Sequence, residues 1–394
     1  MNSKFQKLLF HIQDDFLDVK SLLSFAILNR LFLLVIGYVS FGSSANKNFG
    51  GDWKFSLQYF VDLSKTANYG DIISYLYIAD HGYTVKPFEL GSQANWAFYP
   101  MWPIVMRLGS FVTGGNTLVA VLILTNVCFL VSIVYLYKLI KIDFSEGIAY
   151  LATLLAIIFP SSYFYLRPGP ESLFLLLNIL ALFLAKKEQW VSAGLCAGLS
   201  AVTRLQGVLV LLPLLFIYLQ QYRHRKIHNL QALSLLSIPI FFGLFLFHMY
   251  VITGNFLASF AIQKMWDSSL SIPFKAMVQF VLSPKLISYY GWDLSPVNFL
   301  FMVLATALMV AIARRPKFPT EYVIYTALHV LLIISRNNLQ GSLRFMLPIF
   351  PLYIAIAFFI EHRKNWYNAI FYGFIALQTA YFIAFVNYYH FAHT

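Results

Sequence analysis

The 394-residue chain is 59% hydrophobic and only 11% charged, with a mean hydropathy of +0.69. Soluble domains carry roughly 25% charged residues, so this composition excludes a soluble protein and predicts a polytopic membrane protein. The formal net charge of +12 does not indicate a nucleic-acid partner. Its basic residues fall in short clusters between apolar segments, as the positive-inside rule predicts for cytoplasmic loops.

Apolar segments follow one another along the whole chain, and a hydrocarbon core about 30 Å thick requires roughly 20 helical residues per crossing. They predict an all-α membrane protein, with a single transmembrane domain over residues 1–394 that contains about 11 transmembrane helices. A further segment, 98–113, is expected to dip into the membrane surface without crossing. The predicted spans are 21–41, 117–138, 147–165, 171–185, 190–204, 206–221, 231–252, 294–313, 320–335, 344–360 and 366–388.

Charge predicts the orientation of these spans. The basic clusters at 222–226, 314–317 and 362–364 are separated from one another by two spans each, so all three are expected to be cytoplasmic. The N-terminus is then cytoplasmic as well. Two large loops, 42–116 and 253–293, fall on the outer side, and their aromatic content predicts helices that lie along the membrane surface.

The first outer loop contains the acidic residue of greatest interest. Asp71, Tyr75, Ile78 and Ala79 recur at helical spacing, and Gly82 is suited to end that helix. The simplest interpretation of Asp71 is a solvated carboxylate on a surface helix. The functional interpretation is a general base, because a sugar hydroxyl needs an acceptor for its proton as it attacks an anomeric carbon.

Arginines at the ends of other predicted spans are candidates for binding a phosphate. Arg204 and Arg344 either snorkel to the interface or form charge-assisted hydrogen bonds to phosphate oxygens. Arg167 and Glu171 flank two prolines, and they either pair with each other at a helix end or join the site. The sequence shows no paired His/Cys metal spacing, no glycine-rich phosphate loop and no nucleophile elbow.

Aromatic and polar residues complete the candidate substrate-binding set. Gln263 and Trp266 are spaced to share a helix face, which indicates either packing or a platform for a sugar. Tyr75, His81 and Tyr99 lie in the first outer loop. For His81, as for its neighbour Asp80, a structural role is the simpler interpretation.

The order of these motifs resembles the PIG-V-like mannosyltransferases, relatives of the second mannosyltransferase of GPI-anchor assembly. The resemblance extends from about residue 20 to residue 360. It starts with Asp71-x-x-x-Tyr75-Leu76-x-Ile78-Ala79-x-x-Gly82-Tyr83 and Ala97-Phe98-Tyr99-Pro100-x-x-Pro103. It continues with Pro170-Glu171-Ser172, Thr203-Arg204-x-x-Gly207, Gln263 with Trp266, and Ser342-Leu343-Arg344-Phe345.

This resemblance implies a GT-C glycosyltransferase that takes a sugar, typically mannose, from a polyprenyl-phosphate donor and inverts the anomeric centre. It implies Asp71 as the catalytic carboxylate, an extracytoplasmic active site, a glycan or glycolipid acceptor, and neither metal nor cofactor. A bacterial plasma membrane is the expected location. Tyr69-Gly70 and Asp267-Ser268 replace residues common in the family, which leaves the sugar and the acceptor open. A lipid or glycan transporter or flippase, or a polymerase or ligase of the O-antigen type, is the alternative.

Overall fold

The structure, a computed structural model, describes residues 18–40, 71–92, 94–224, 229–266, 269–284, 287–288, 291–292 and 295–387. The described chain is almost entirely helical. Its α-helices, in chain order, are α1 (Asp18–Ser40), α2 (Asp71–His81), α3 (Met101–Val112), α4 (Thr117–Asp143), α5 (Glu146–Ile158), α6 (Glu171–Lys186), α7 (Trp190–Ala201), α8 (Leu211–Arg223), α9 (Ser237–Thr253), α10 (Ala258–Ala261), α11 (Lys275–Leu282), α12 (Ser295–Arg314), α13 (Thr320–Ile334), α14 (Ser342–Met346), α15 (Phe350–Ile360) and α16 (Lys364–Val386).

Four 3-10 helices and one short hairpin complete the described elements. Two of the 3-10 helices run directly into α-helices, one into α8 and one into α9, so that each pair forms a longer apolar rod. The hairpin pairs two strands of two residues each, antiparallel. The 3-10 helices are Ser162–Tyr165, Leu205–Val210, Asn229–Leu236 and Ile262–Trp266, and the strands are β1 (Ile287–Ser288) and β2 (Gly291–Trp292).

The predicted all-helical membrane fold is confirmed. Six helical segments are long and apolar enough to cross a membrane, and each coincides with a predicted span. They are Asp18–Ser40, Thr117–Asp143, Leu205–Arg223, Leu230–Thr253, Ser295–Arg314 and Lys364–Val386. The other five predicted spans form shorter helices, and the number of full crossings remains a prediction.

The long helices lie at the outside of the bundle and the short helices lie inside it. Within the long segments, only 22–44% of the most apolar window is buried, so these helices form the perimeter that faces lipid. The shorter helices α5, α6 and α15 are almost wholly covered by neighbouring helices. Since a helix rises about 1.5 Å per residue, α6 is roughly 24 Å long, which is less than an ordinary hydrocarbon core. The interior of the bundle is therefore shorter than its rim.

The short helices end where the backbone becomes irregular. Helix α5 stops at Ile158, two residues before Pro160, although the span was predicted to reach residue 165. The predicted span 344–360 is broken at Pro348 into α14 and α15. Non-helical backbone at membrane depth is tolerated where protein covers it, and residues 158–170 are buried without exception.

A separate ion cluster joins α4, α6 and α13 at the end of α6 that is remote from Glu171. Lys186, the last residue of α6, lies 2.9 Å from Asp143 on α4 and also pairs with Glu321 on α13. The Tyr322 hydroxyl donates a hydrogen bond of 2.8 Å to the same aspartate. This contact fixes three helices at one level, so the position of Glu171 at the other end of α6 is set by the length of that helix.

Candidate active site

Asp71 is the first residue of α2, where the positive end of the helix dipole favours a carboxylate. The helix packs through Ile72, Tyr75, Ile78 and Ala79, which are buried. It ends at His81 because Gly82 adopts a left-handed backbone, with φ +84°, and donates its N–H to the Ile78 carbonyl. The predicted amphipathic helix and its glycine stop are confirmed.

Glu171 is the first residue of α6 and follows a buried turn. Within that turn the Gly169 N–H donates to the Arg167 carbonyl at 2.7 Å. A Cβ atom on Gly169 would lie 2.3 Å from Glu171 Oε2, so the absence of a side chain lets the carboxylate fold back over the turn. The Trp102 indole donates to the Pro168 carbonyl and ties α3 to the same turn.

Arg204 lies in a tight connection between α7 and the 3-10 helix that precedes α8. Its backbone is extended, and its carbonyl accepts the N–H of Gly207 at 2.9 Å. A Cβ atom on Gly207 would lie 2.3 Å from the backbone carbonyl of Ser200. This close approach brings the 3-10 helix against the end of α7 and fixes the position of Arg204.

Arg344, on α14, connects two carboxylates that come from distant parts of the chain. Its Nη1 donates to Asp71 Oδ2 at 2.6 Å, while Nε and Nη2 donate to Glu171 Oε1 at 2.6 and 2.5 Å. Arg204 Nη1 donates to the same glutamate oxygen at 2.6 Å. The structure thus brings four of the candidate residues into one hydrogen-bonded group: Asp71, Glu171, Arg204 and Arg344.

The two carboxylates differ in exposure. The Glu171 side chain is only 3% exposed, whereas that of Asp71 is 40% exposed. A buried carboxylate surrounded by arginines can hold cations in place, but it cannot reach a large incoming molecule. The more exposed carboxylate can meet an acceptor hydroxyl, which distinguishes the chemistry open to each residue.

The arginines also decide the ionisation of Asp71. Desolvation by the surrounding protein would raise its pKa, but the charges of Arg344, Arg167 and Arg204 and the hydrogen bond from Arg344 outweigh that effect and hold the pKa at about 2. Asp71 is therefore a carboxylate throughout the neutral range. While Arg344 is bound to it, it is also a weaker base than an ordinary aspartate.

Two further arginines surround this group and share its aromatic supports. The Phe164 ring lies 5.2 Å from the Arg344 guanidinium and 5.6 Å from that of Arg167. The Phe345 ring lies 5.4 Å from the guanidinium of Arg204 and 4.5 Å from that of Arg336. We refer to these four arginines with Asp71 and Glu171 as the arginine cluster. Its cations outnumber its carboxylates, which suits an anionic ligand.

The remaining candidates lie at varying distances from this cluster. Tyr75 is buried, and its charge interactions with Asp71, Arg204 and Glu171 place its hydroxyl nearby. Tyr99 is buried and packs on Phe245. His81 is exposed, stacks on Tyr77 and lies at the far end of α2, outside the cluster.

Two candidates come from the second large loop. Gln263 is half-buried on the 3-10 helix Ile262–Trp266, and the described contacts do not bring it into the arginine cluster. The Trp266 side chain lies outside the described part of the chain.

Asp80, the neighbour of His81, has structural partners: the Thr117 hydroxyl donates to it at 2.8 Å, and Arg107 lies 3.7 Å away.

Sequence analysis assigned no role in the site to Arg336, nor to the aromatic supports Phe164 and Phe345. Arg336 follows α13, and its relation to Arg204 exists only because both contact one ring in the folded chain. No spacing along the sequence connects these residues. Among the described residues, no group of three or more His, Cys, Asp or Glu side chains could hold a metal ion.

An apolar groove of about 560 Å³ lies beside α2. Its walls come from the second half of α2, from α3 and from α9, and they include Val202, two residues before Arg204. Tyr83, Arg107 and His248 are the charged or titratable residues among its lining. The groove has the composition expected of a site for a hydrocarbon chain.

The sequence model of the family described as dolichyl-phosphate-mannose-protein mannosyltransferase matches residues 97–250. This stretch contains Arg167, Glu171 and Arg204. No curated protein matches the chain.

Several solved structures resemble the chain at low sequence identity. The oligosaccharyltransferase AglB from Archaeoglobus fulgidus, solved with an inhibitory peptide and a dolichol-phosphate, is 13% identical, with a TM-score of 0.43. The match covers 91% of this chain and 55% of AglB. ArnT from Cupriavidus metallidurans, solved with undecaprenyl phosphate, is 16% identical, with a TM-score of 0.49; the match covers 85% of this chain and 60% of ArnT. The chain thus spans little more than half the length of these structures.

Two findings bear on the class of protein. Residues 97–250 match a mannosyltransferase family model, and the described chain contains six helices long and apolar enough to cross a membrane. The matched stretch is less than half of the chain, and candidate site residues lie on both sides of it: Asp71 precedes it and Arg344 follows it.

Proposed function

We propose that the protein transfers a hexose, and specifically mannose, from a polyprenyl-phosphate donor to a glycan or glycolipid acceptor at the extracytoplasmic face of a bacterial plasma membrane. The observation that carries this proposal is the pairing of the more exposed carboxylate, Asp71, with an arginine that also binds a buried one. The PIG-V-like motifs and the description of the matched family favour mannose.

Donor binding follows from the excess of cations. Arg204 and Arg344 bind the donor phosphate, with Tyr75, Tyr99, Arg167 and Glu171 shaping the site around it, and the apolar groove beside α2 receives the prenyl chain. Glu171 keeps both arginines in place before the donor arrives. Preorganised charges of this kind stabilise developing charge in a water-poor site by a few kcal/mol. Gln263, Trp266 and His81 remain candidates for contacts with the sugar or the acceptor.

The reaction is a single displacement. The acceptor oxygen forms a bond to the anomeric carbon on the face opposite the phosphate, and its proton passes to Asp71. The bond from the anomeric carbon to the phosphate oxygen breaks, its electron pair stays on the phosphate, and the phosphate gains one negative charge. One base and no enzyme nucleophile are needed, so the anomeric centre is inverted. The arginines supply the charge stabilisation, so the proposed mechanism uses no metal.

Donor binding and base strength are connected in this scheme. Arg344 holds the pKa of Asp71 low in the structure described here. A donor phosphate competes for Arg344, and as that hydrogen bond to Asp71 weakens, the pKa of Asp71 rises toward its ordinary value. Asp71 therefore becomes a better proton acceptor only when the donor is present, which limits unproductive reaction.

A transfer assay tests the proposed function. Purified protein in detergent or vesicles is given polyprenyl-phosphate mannose with a radiolabelled sugar and candidate lipid-linked acceptors, and the product is analysed for a new glycosidic bond of inverted configuration. Formation of that bond without added metal is the expected result. Movement of intact donor across the vesicle membrane with no new bond would instead identify a transporter or flippase.

A further inference from the structure

Arg336 differs from the other arginines of the cluster in its partners. Its guanidinium lies against the Phe345 ring at 4.5 Å, and its Nη1 donates to the Gln340 carbonyl. Among the described residues, no carboxylate lies within ion-pair distance of Arg336. Arg204 and Arg344, by contrast, are both bound to Glu171. Arg336 thus contributes a positive charge that no carboxylate in the described cluster pairs with.

A second element holds this arginine in place. The segment after α13 forms backbone hydrogen bonds with the second large loop: the Ser271 N–H donates to the Ser335 carbonyl, and the Asn337 N–H donates to the Ser269 carbonyl. Leu270 and Arg336 form an isolated antiparallel bridge between these two bonds. The backbone on both sides of Arg336 is therefore fixed, which is how a preorganised binding residue is built.

The neighbours of Arg336 make its charge costly without an anion. Burial and the like charges of Arg204 and Arg344 lower its pKa to about 10. Three guanidiniums that are near enough to repel one another are stabilised when a phosphate accepts hydrogen bonds from them. Arg204 and Arg336 contact one ring, so a phosphate near Arg204 is also close to Arg336.

We propose that Arg336 is a further phosphate-binding residue, which pairs with the charge that appears on the phosphate when the bond to the sugar breaks. This inference rests on the proposed function. The charges of Arg204 and Arg344 are partly neutralised by Glu171, whereas no carboxylate in the described cluster neutralises that of Arg336. It therefore binds the dianionic polyprenyl phosphate product more strongly than it binds the monoanionic donor.

Binding of decaprenyl phosphate and of decaprenol to the purified full-length chain tests this assignment, because the two probes differ only in the phosphate. The R336Q variant is expected to bind decaprenyl phosphate roughly tenfold or more weakly, the effect of losing a charge-assisted hydrogen bond. Its affinity for decaprenol should be unchanged. Wild-type affinity of R336Q for decaprenyl phosphate would overturn the proposal.

Arg363 provides a matched control. Its guanidinium lies 4.7 Å from the Phe359 ring and donates to a backbone carbonyl, as that of Arg336 does, but it lies beyond the end of α15 that is remote from the cluster. R363Q should bind both probes as wild type does. If R336Q fails to fold, R336M replaces it, because methionine keeps an unbranched apolar chain beside Phe345 but carries no charge. Wild-type affinity of R336M for decaprenyl phosphate would overturn the proposal.

The same measurements separate this inference from the proposed function. If wild-type protein binds decaprenyl phosphate no better than decaprenol, the donor class itself is wrong. If wild-type protein prefers the phosphate and R336Q keeps that preference, only the role of Arg336 is wrong.

Discussion

Asp71 and Glu171 carry the same chemical group and bind the same arginine, yet their surroundings give them different tasks. Glu171 is 3% exposed and accepts from two arginines through one oxygen, which makes it the centre of the arginine cluster. Asp71 is 40% exposed and accepts from one arginine. Exposure and hydrogen bonding, rather than acidity in the free amino acid, therefore separate the proposed base from the group that positions the cations.

Asp71→Asn should remove transfer activity while leaving the fold intact. The amide keeps the shape of the side chain but cannot accept a proton, and a general base typically contributes about 10²–10⁴-fold to rate. The measurement is the initial rate of transfer from radiolabelled donor. Asp80→Asn, on the same helix but paired with Thr117, is the matched control and should retain near wild-type activity. Near-normal transfer by the Asp71 variant would show that another group takes the proton.

Glu171→Gln should affect stability more than Asp71→Asn does. Removing one partner from a buried ion pair leaves the other charge uncompensated, at a cost of about 3–5 kcal/mol, and Glu171 serves two arginines. The temperature of unfolding in detergent is the measurement, with wild type and the Asp71 variant alongside. Equal unfolding temperatures for the two variants would mean that the buried carboxylate does not hold this part of the bundle together.

At the scale of helices, the sequence predicts the elements well and their ends poorly. The apolar segments became helices because a bilayer leaves the backbone no other partners. Breaks at Pro160 and Pro348, and the early end of α7 at Ala201, fall inside segments that hydropathy treats as continuous. These breaks surround the candidate site, where buried side chains and turns satisfy the backbone.

For the residues of the site as well, the sequence predicts some features and not others. Asp71, Arg204 and Arg344 stand out in sequence because each is a polar residue at the end of an apolar segment. That Glu171 binds Arg204 and Arg344, which are distant from it in sequence, depends on how α6, α7 and α14 pack. Arg336 joins the cluster through a ring contributed by another element. Contacts of this kind follow from tertiary packing, and no pattern of residues along the sequence indicates them.

Gly207→Ala should displace Arg204 and reduce transfer strongly. The new Cβ would lie 2.3 Å from the Ser200 backbone, which cannot move aside as a flexible side chain can. A shift of about 1 Å at a substrate-positioning group can cost on the order of 10²-fold in rate. Transfer rate and unfolding temperature are measured together.

Gly243→Ala, in the middle of α9, is the control for Gly207→Ala. Nothing lies within 4 Å of a Cβ at Gly243, and alanine is the better helix former by roughly 1 kcal/mol. This variant should be as active and at least as stable as wild type. Equal behaviour of the two glycine variants would show that the close approach at Gly207 does not position Arg204.

For the molecule as a whole, the perimeter helices are longer than the interior helices, and this difference determines the depth of the arginine cluster. Helix α4 meets α6 at the Asp143–Lys186 ion pair and extends roughly 40 Å from it, whereas α6 places Glu171 only about 22 Å from the same pair. The cluster therefore lies below the level of the surrounding rim. Charged groups at that depth are stable when they face a polar cavity, so the fold predicts a water-filled depression above Asp71.

A spin label can test whether the exposed side of Asp71 faces water or lipid. In a background with Cys128 and Cys196 replaced, a label at Asp71→Cys is expected to be relaxed strongly by a water-soluble nickel chelate. The control is a label at Leu31→Cys, because Leu31 is 53% exposed and is adjacent to Arg30, whose guanidinium donates to the Tyr165 carbonyl beside the site. That label should respond to oxygen, which concentrates in lipid, and little to the chelate. If the label at residue 71 instead responded to oxygen and little to the chelate, as the label at residue 31 should, there would be no water-filled depression. A polar acceptor could then not reach the proposed base.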